Sequence, residues 1–276
     1  MSEELSLSET FSKIILSFPN IVWHENYFPF GILITIHAIF ISLRYKNNLK
    51  EAQVPWLQGL FAVSVMGVGG STISNILIGK PPGWLTSNSI ITVYWTMYSL
   101  INYVPPFYWI IKLLPSDLLN IIFLTVDGML RAISICSSGV DSVRYGSFHG
   151  IDNGSINSSW VAILITGTLC GCGGGILDSA FNITSQTWTF STPSAFVKPT
   201  YDMKVSFFIT LFYALSSASD DNAVTNFTIP LFSINQGRIL AIVGMIMLNL
   251  AKLGYFKESK IPEQNKIEIK ETKKDL

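Results

Sequence analysis

Two stretches of the chain decide the fold: PWLQGLFAVSVMGVGGSTISNILI at residues 55–78 and WVAILITGTLCGCGGGILDSAF at residues 160–181. Each is long enough for a transmembrane α-helix, which needs about 20 mostly apolar residues. Trp160 follows Trp56 by 104 positions, and Gly171 follows Gly67 by the same 104. The two stretches therefore indicate an internal repeat.

Each stretch carries a Gly-x-Gly-Gly cluster: Gly67, Gly69 and Gly70 in the first, and Gly171, Gly173 and Gly174 in the second. Because a glycine costs a helix about 1 kcal/mol relative to alanine, we expect both helices to break there. Broken helices at matching places in two inverted halves are typical of a midplane permeation or binding site. The alternative is close packing, since small residues let membrane helices approach each other.

Composition favours a membrane protein. The chain has 276 residues, of which 49% are hydrophobic and 13% are charged, whereas a soluble domain has about 25% charged residues. Its mean hydropathy is +0.42. Net charge is zero, with no basic stripe that would bind nucleic acid. Three cysteines are too few for a disulfide framework.

Hydropathy predicts an all-α membrane protein with seven transmembrane helices. The expected spans are residues 28–43, 55–78, 89–114 with an interruption at Pro105-Pro106, 116–140, 160–181, 203–215 and 239–253. Spans two and five are an odd number of crossings apart, so they run in opposite directions. This arrangement predicts two inverted three-helix repeats followed by a seventh helix.

This arrangement divides the chain into five parts. They are a lumenal arm (1–26), the first repeat (27–114), the second, inverted repeat (115–218), a loop with the seventh helix (219–256) and a charged cytosolic tail (257–276).

The distribution of basic residues predicts the orientation in the membrane, and targeting signals predict the compartment. Basic residues follow spans one and seven, so the positive-inside rule places the N-terminus in the lumen and the C-terminus in the cytosol. Lys273 and Lys274 stand at the fourth and third positions from the end, like the dilysine signal of endoplasmic-reticulum membrane proteins. Three of the four glycosylation sequons, at Asn153, Asn157 and Asn226, fall in loops assigned to the lumen, whereas Asn182 falls at the cytosolic end of span five. We expect a multi-pass protein of the endoplasmic-reticulum membrane, with the nuclear envelope as an alternative.

Ionisable residues at bilayer depth are candidates for function. Asp127 and Arg131 lie at i,i+4 with the acid first, which favours a helix ion pair. Either they neutralise each other in a buried site, or they face a wet pore. We interpret His37 as a packing residue. Asp178 either lines a cytosolic vestibule or reaches the interface, and Asp141 is assigned to a solvated lumenal loop.

The motifs, taken in order, resemble those of the trimeric intracellular cation (TRIC) channels of endoplasmic and sarcoplasmic reticulum. The resemblance covers about residues 25–255, and its pieces are Pro55-Trp56, Gly69-Gly70-Ser71, residues 76–82, residues 87–91, residues 113–115, Trp160, Gly167 and residues 171–174. It implies a homotrimer with a pore inside each protomer, with potassium and sodium ions and membrane lipids as partners. The implied role is potassium counter-ion flow during calcium release.

One part of the family pattern is altered. The resemblance implies a phosphoinositide headgroup held near the start of span four by Lys-Glu-Val-x-Arg. Here Arg131 takes the place of the arginine, and Asp127 then stands where the family has lysine. We expect no other cofactor.

Other function classes find less support. No His, Cys or Asp cluster has the spacing of a metal site, and no catalytic set is apparent, so we do not expect an enzyme. A secondary transporter uses the same inverted repeats and remains an alternative. A seven-helix receptor is a further alternative, which the 104-residue repeat disfavours.

Overall fold

The computed structural model describes residues 13–24, 28–50, 52–147, 156–217 and 231–259, with the backbone alone for residues 254–259. The sequons at Asn153 and Asn226 and the lysine pair Lys273-Lys274 lie outside the described residues.

The described residues are almost entirely helical, which confirms the all-α architecture. The main helices are α1 (Ile32–Leu49), α2 (Trp56–Leu77), α3 (Asn88–Tyr103), α4 (Pro105–Lys112), α5 (Ser116–Ile133), α6 (Trp160–Phe181), α7 (Tyr201–Ser216) and α8 (Ile234–Ser259). Single turns occur at Phe18–Asn20, Gly83–Thr86, Ser142–Arg144 and Ser194–Val197. A two-stranded antiparallel hairpin, β1 (Val22–His24) with β2 (Phe28–Gly31), precedes α1.

Four segments are long and apolar enough to cross a membrane: Trp56–Leu77, Ser116–Arg144, Trp160–Phe181 and Ile234–Leu253. Helices α1, α3 and α7, at predicted spans one, three and six, have only 18, 16 and 16 residues. The chain is thus a multi-pass membrane protein, and the count of seven spans stays a prediction.

Local chemistry explains the helix boundaries. Pro105 opens α4 directly after α3 ends, where its missing N–H costs nothing. The side chains of Ser159 and Thr200 accept hydrogen bonds from the backbone of Ala162 and Met203, and so cap α6 and α7. Helix α1 begins at Ile32 rather than at the expected residue 28, because residues 28–31 pair with β1.

The expected helix breaks at the glycine clusters are wrong. Helices α2 and α6 each run for 22 residues as uninterrupted α-helix through Gly67, Gly69 and Gly70, and through Gly171, Gly173 and Gly174. The physical reason is that α2 and α6 pack directly against each other at these glycines. Close contact between the two backbones offsets the low helix propensity.

Helices α2 and α6 are antiparallel. The Gln58 amide donates to the carbonyl of Ser185 over 3.3 Å at one end, and the Ser74 hydroxyl donates to the carbonyl of Thr166 over 2.8 Å at the other. At the crossing, a methyl group added to Gly173 would lie 2.7 Å from the Cα of Gly70. No side chain fits between the helices here.

Contacts at this crossing are reciprocal at the 104-residue offset. A methyl group on Gly70 would lie 2.9 Å from the carbonyl oxygen of Cys170, and one on Gly174 would lie 2.6 Å from that of Met66. Adding 104 to Gly70 gives Gly174, and adding 104 to Met66 gives Cys170. The crossing therefore has local two-fold character, while the larger three-helix repeats remain a prediction.

Helix α5 continues into a π-helical segment, Ser134–Asp141. This segment packs on α6, where a methyl group on Gly139 would lie 2.5 Å from the Cα of Gly167. The Thr166 hydroxyl donates to the carbonyl of Gly139 over 3.1 Å. Short π segments inside helices often occur at functional sites.

Two apolar cores flank the α2–α6 crossing. One joins α1, α2 and α3 around Tyr45, Leu60 and Tyr98. The other joins α5 to α8 around Ile135 and Tyr213. Large apolar side chains remain exposed on the outer faces of the helices, including Leu57, Ile76, Trp109, Val161, Phe208 and Met247. Large exposed apolar surfaces of this kind mark sites of membrane or protein contact.

Candidate permeation site

A cavity of about 560 Å³ runs beside the C-terminal halves of the antiparallel helices α2 and α6. Asn75 and Trp84 line it near the C-terminal end of α2. Asp178 and Asn182 line it near the C-terminal end of α6, which is the opposite end of the pair. Its lining mixes backbone, serine hydroxyls and charged groups, which suits a hydrated path rather than an apolar pocket.

The predicted glycines divide between the cavity and the crossing. Gly67, Gly70, Gly171 and Gly174 line the cavity, while Gly69 and Gly173 are not among its lining residues. The structure thus supports the packing interpretation and also places four glycines beside the cavity. Their role in permeation stays a prediction.

The predicted pair of Asp127 and Arg131 forms and also lines the cavity. Arg131 Nε lies 3.0 Å from Asp127 Oδ2, as the i,i+4 spacing indicates. Asp127 is 3% exposed, whereas the side chain of Arg131 is 20% exposed. The two residues therefore form a buried ion pair on the wall of a cavity, and whether they face a wet pore stays a prediction.

His37 is buried, has two polar partners and also lines the cavity, so its role as a packing residue stays a prediction. Its Nε2 lies 3.3 Å from Asp127 Oδ1, and its Nδ1 lies 2.6 Å from the hydroxyl of Tyr94. Asn249 Nδ2 donates to Asp127 Oδ2 over 3.2 Å. Asp127 thus accepts contacts from three helices, which compensates for its burial.

The cluster extends across the cavity wall to α7 and α8. Arg131 lies 3.6 Å from Asp202, and Lys252 lies 2.9 Å from the same carboxylate. Two acids therefore face two bases. The network, which we call the Asp127 cluster, consists of His37, Tyr94, Asp127, Arg131, Asp202, Asn249 and Lys252, and its own charges balance.

A second network was not found from sequence. Asp141 belongs to the π segment rather than to a solvated loop, and it forms an ion pair with Arg238 at 2.8 Å. The hydroxyl of Tyr213 donates to Asp141 over 3.0 Å, and Arg144 donates to the carbonyls of Ala214 and Ser217. Tyr213 and Arg238 lie 72 and 97 positions from Asp141, so chain spacing does not signal these two contacts.

Asp178 lies on the cavity wall near the end of α6. Its Oδ1 is buried and has no hydrogen-bond partner among the described residues. Of the two sequence interpretations, the structure bears out the lining position.

Three free cysteines occur in the described residues, and all are buried. Cys170 and Cys172 line the cavity, and Cys136 is not among its lining residues. Within the part of the chain that the structure describes, no three His, Cys, Asp or Glu side chains group as metal ligands.

The family model for TRIC channels matches residues 50–248. The chain belongs to the TRIC channel family. This is a family of cation channels.

Solved TRIC structures share the fold. A TRIC channel from C. elegans with bound Ca²⁺ aligns with a TM-score of 0.64 at 15% identity, over 88% of this chain and 94% of that one. A TRIC counter-ion channel studied for its activity in calcium release aligns with a TM-score of 0.61 at 16% identity, over 90% of this chain and 100% of that one. A prokaryotic TRIC channel in 0.5 M KCl aligns with a TM-score of 0.52 at 17% identity, over 81% of this chain and 93% of that one. No match to a curated protein sequence was found.

Proposed function

We propose that this TRIC protein is a potassium-permeable channel of the endoplasmic-reticulum membrane, and that the cavity along α2 and α6 is its ion path. One observation carries the proposal: the lining of a single cavity reaches from Asn75 and Trp84 at one end of the helix pair to Asp178 and Asn182 at the other. Sodium would share the path, since nothing in a hydrated lining excludes it.

Counter-ion flow during calcium release is the physiological role that fits such a path. Each 100 mV that opposes calcium exit acts with about 2.3 kcal/mol per charge. A potassium current into the lumen removes that voltage. The solved TRIC counter-ion channel is linked to calcium release, and we propose the same role here.

We propose that the protein is a homotrimer. The C. elegans relatives are trimeric channels. The exposed apolar faces of the outer helices offer surface that lipid or a second copy would cover. In this arrangement each protomer keeps its own ion path.

We propose that the channel works without a phosphoinositide cofactor. Arg131 already contacts two carboxylates, those of Asp127 and Asp202. An anionic headgroup would have to compete for the guanidinium with both carboxylates, and displacing Asp127 would remove the ion pair of a buried acid. We therefore expect equal single-channel currents in bilayers with and without phosphoinositide. A current that requires the lipid would contradict this.

Native cysteines test the ion path directly. Single-channel recording of the purified protein in a potassium gradient should show currents far above carrier turnover. Silver ions, which bind thiols, should then block them because Cys170 and Cys172 line the cavity. Replacing both by serine should abolish the block.

Cys136→Ser is the matched control, since this buried thiol is not among the lining residues. It should leave the silver block intact. Currents at carrier turnover would instead indicate a transporter with the same fold. Silver block that survives loss of Cys170 and Cys172 would place the path elsewhere.

A further inference from the structure

Asp178 differs from the other acids of the cavity. Three aspartates line it: Asp127, Asp178 and Asp202. Asp127 and Asp202 each pair with a basic side chain. Asp178 forms no ion pair among the described residues, and its buried Oδ1 accepts no hydrogen bond there. A buried polar group without a partner costs free energy, and more so when charged, so this carboxylate favours a cation that the chain itself does not supply.

The position of Asp178 in its helix points the same way. It lies in the last turn of α6, which contains no basic residue. The C-terminal end of a helix carries about half a negative charge, which cations stabilise and carboxylates do not. The carbonyl of Asp178 accepts hydrogen bonds from the backbone of Asn182 and Ile183 as the helix ends. The side chain and the helix end therefore attract the same ligand.

The surroundings select the class of ion. Ser179, Asn182 and Ser194 line the same cavity, and the Ser179 hydroxyl donates to that of Ser194 over 3.2 Å. These neutral polar side chains line the same cavity as the carboxylate of Asp178. Calcium prefers 6–8 oxygen ligands, several of them carboxylates, and no such group of three acids occurs in the described residues. A weakly held, partly hydrated monovalent cation fits better.

One basic residue must be weighed against Asp178. Arg44, near the end of α1, also lines the cavity. Its side chain is exposed, so water and salt screen its charge. Asp178 is partly buried, so its charge is screened less than that of Arg44.

We propose that Asp178 is a monovalent-cation site that gives the cavity its preference for cations over anions. This inference rests on the proposed function, because it assumes that ions pass through the cavity. It names the residue that binds the permeating ion and the class of ion that this residue binds.

Recording the full-length protein in planar bilayers tests the selectivity. In a KCl gradient, Asp178→Asn should lower the K⁺/Cl⁻ permeability ratio by about threefold or more, because a fixed charge raises the local concentration of its counter-ion. The loss of conductance should be larger in 0.1 M than in 1 M KCl, since the Debye length falls from about 10 Å to about 3 Å. Asp178→Glu should retain the wild-type permeability ratio and the wild-type conductance.

Asp117→Asn is the matched control. Asp117 is an exposed acid in the first turn of α5 and does not line the cavity. This variant should leave the permeability ratio unchanged. If the Asp178→Asn channel assembles and keeps the wild-type ratio and conductance at both salt concentrations, the proposal is wrong.

Thermal unfolding tests the site without any current. The midpoint of the wild type should be about 2 °C or more higher in KCl than in N-methyl-D-glucamine chloride, because an ion that binds only the folded state stabilises it. Asp178→Asn should lose this difference, and Asp178→Ser serves if the asparagine variant does not assemble. An equal potassium effect in variant and wild type would refute the site. A wild type that carries no current would refute the channel function, and the unfolding data alone would then decide on Asp178.

Discussion

Asp127 shows how a single residue organises the centre of this TRIC protein. It contacts His37, Arg131 and Asn249, which belong to α1, α5 and α8. Because it is almost fully buried, its charge is tolerated only while these partners remain. We therefore expect Asp127→Asn to destabilise the protein by about 2–4 kcal/mol, since the Arg131 guanidinium would lose its closest carboxylate.

Thermal unfolding in detergent, followed by tryptophan fluorescence, measures this effect. The double variant Asp127→Asn, Arg131→Gln should recover part of the loss, because it removes the unpaired cation as well. Additive losses in the double variant would show that the two charges do not interact.

At the scale of the element, the α2–α6 crossing depends on glycine for closeness rather than for a kink. Gly173→Ala would place a methyl group 2.7 Å from the Cα of Gly70, so the helices must separate. We expect a loss of about 1–3 kcal/mol in stability and a lower yield of assembled protein. Size-exclusion profiles and thermal midpoints measure both.

Gly175→Ala provides the control within the same helix. A methyl group at this exposed position would meet nothing within 4 Å. It should raise stability by up to about 1 kcal/mol through helix propensity alone. Equal losses at Gly173 and Gly175 would argue against close packing as the reason for the cluster.

The same elements show what the sequence can and cannot predict. Hydropathy places α2 and α6 to within a residue or two, because lipid imposes length and apolarity on a spanning helix. Spacing alone pairs Asp127 with Arg131. Helix propensity misjudged the glycines, since a contact with another helix decides their conformation. The pair of Asp141 and Arg238 arises only from folding, because 97 positions separate the two residues.

At the scale of the whole molecule, orientation is the untested prediction with the clearest measurement. Basic residues cluster after predicted spans one and seven, so we expect a cytosolic C-terminus. A tag placed after Leu276 should be digested by protease in sealed microsomes. A lumenal tag on an N-terminal fusion should survive the same treatment and serves as the control for sealing. Protection of the C-terminal tag would reverse the topology.

The antiparallel contact of α2 with α6 also bears on the order of synthesis. Helix α2 leaves the ribosome about a hundred residues before α6 is synthesised, and synthesis proceeds at roughly 5–20 residues per second. During those seconds its glycine face, with Gly70 at the centre, has only lipid or a chaperone beside it. Nascent chains that stop before residue 160 lack α6, so the glycine face of α2 that would contact it stays exposed. Membrane quality control can recognise such a surface, so a truncated product of this kind should be degraded early.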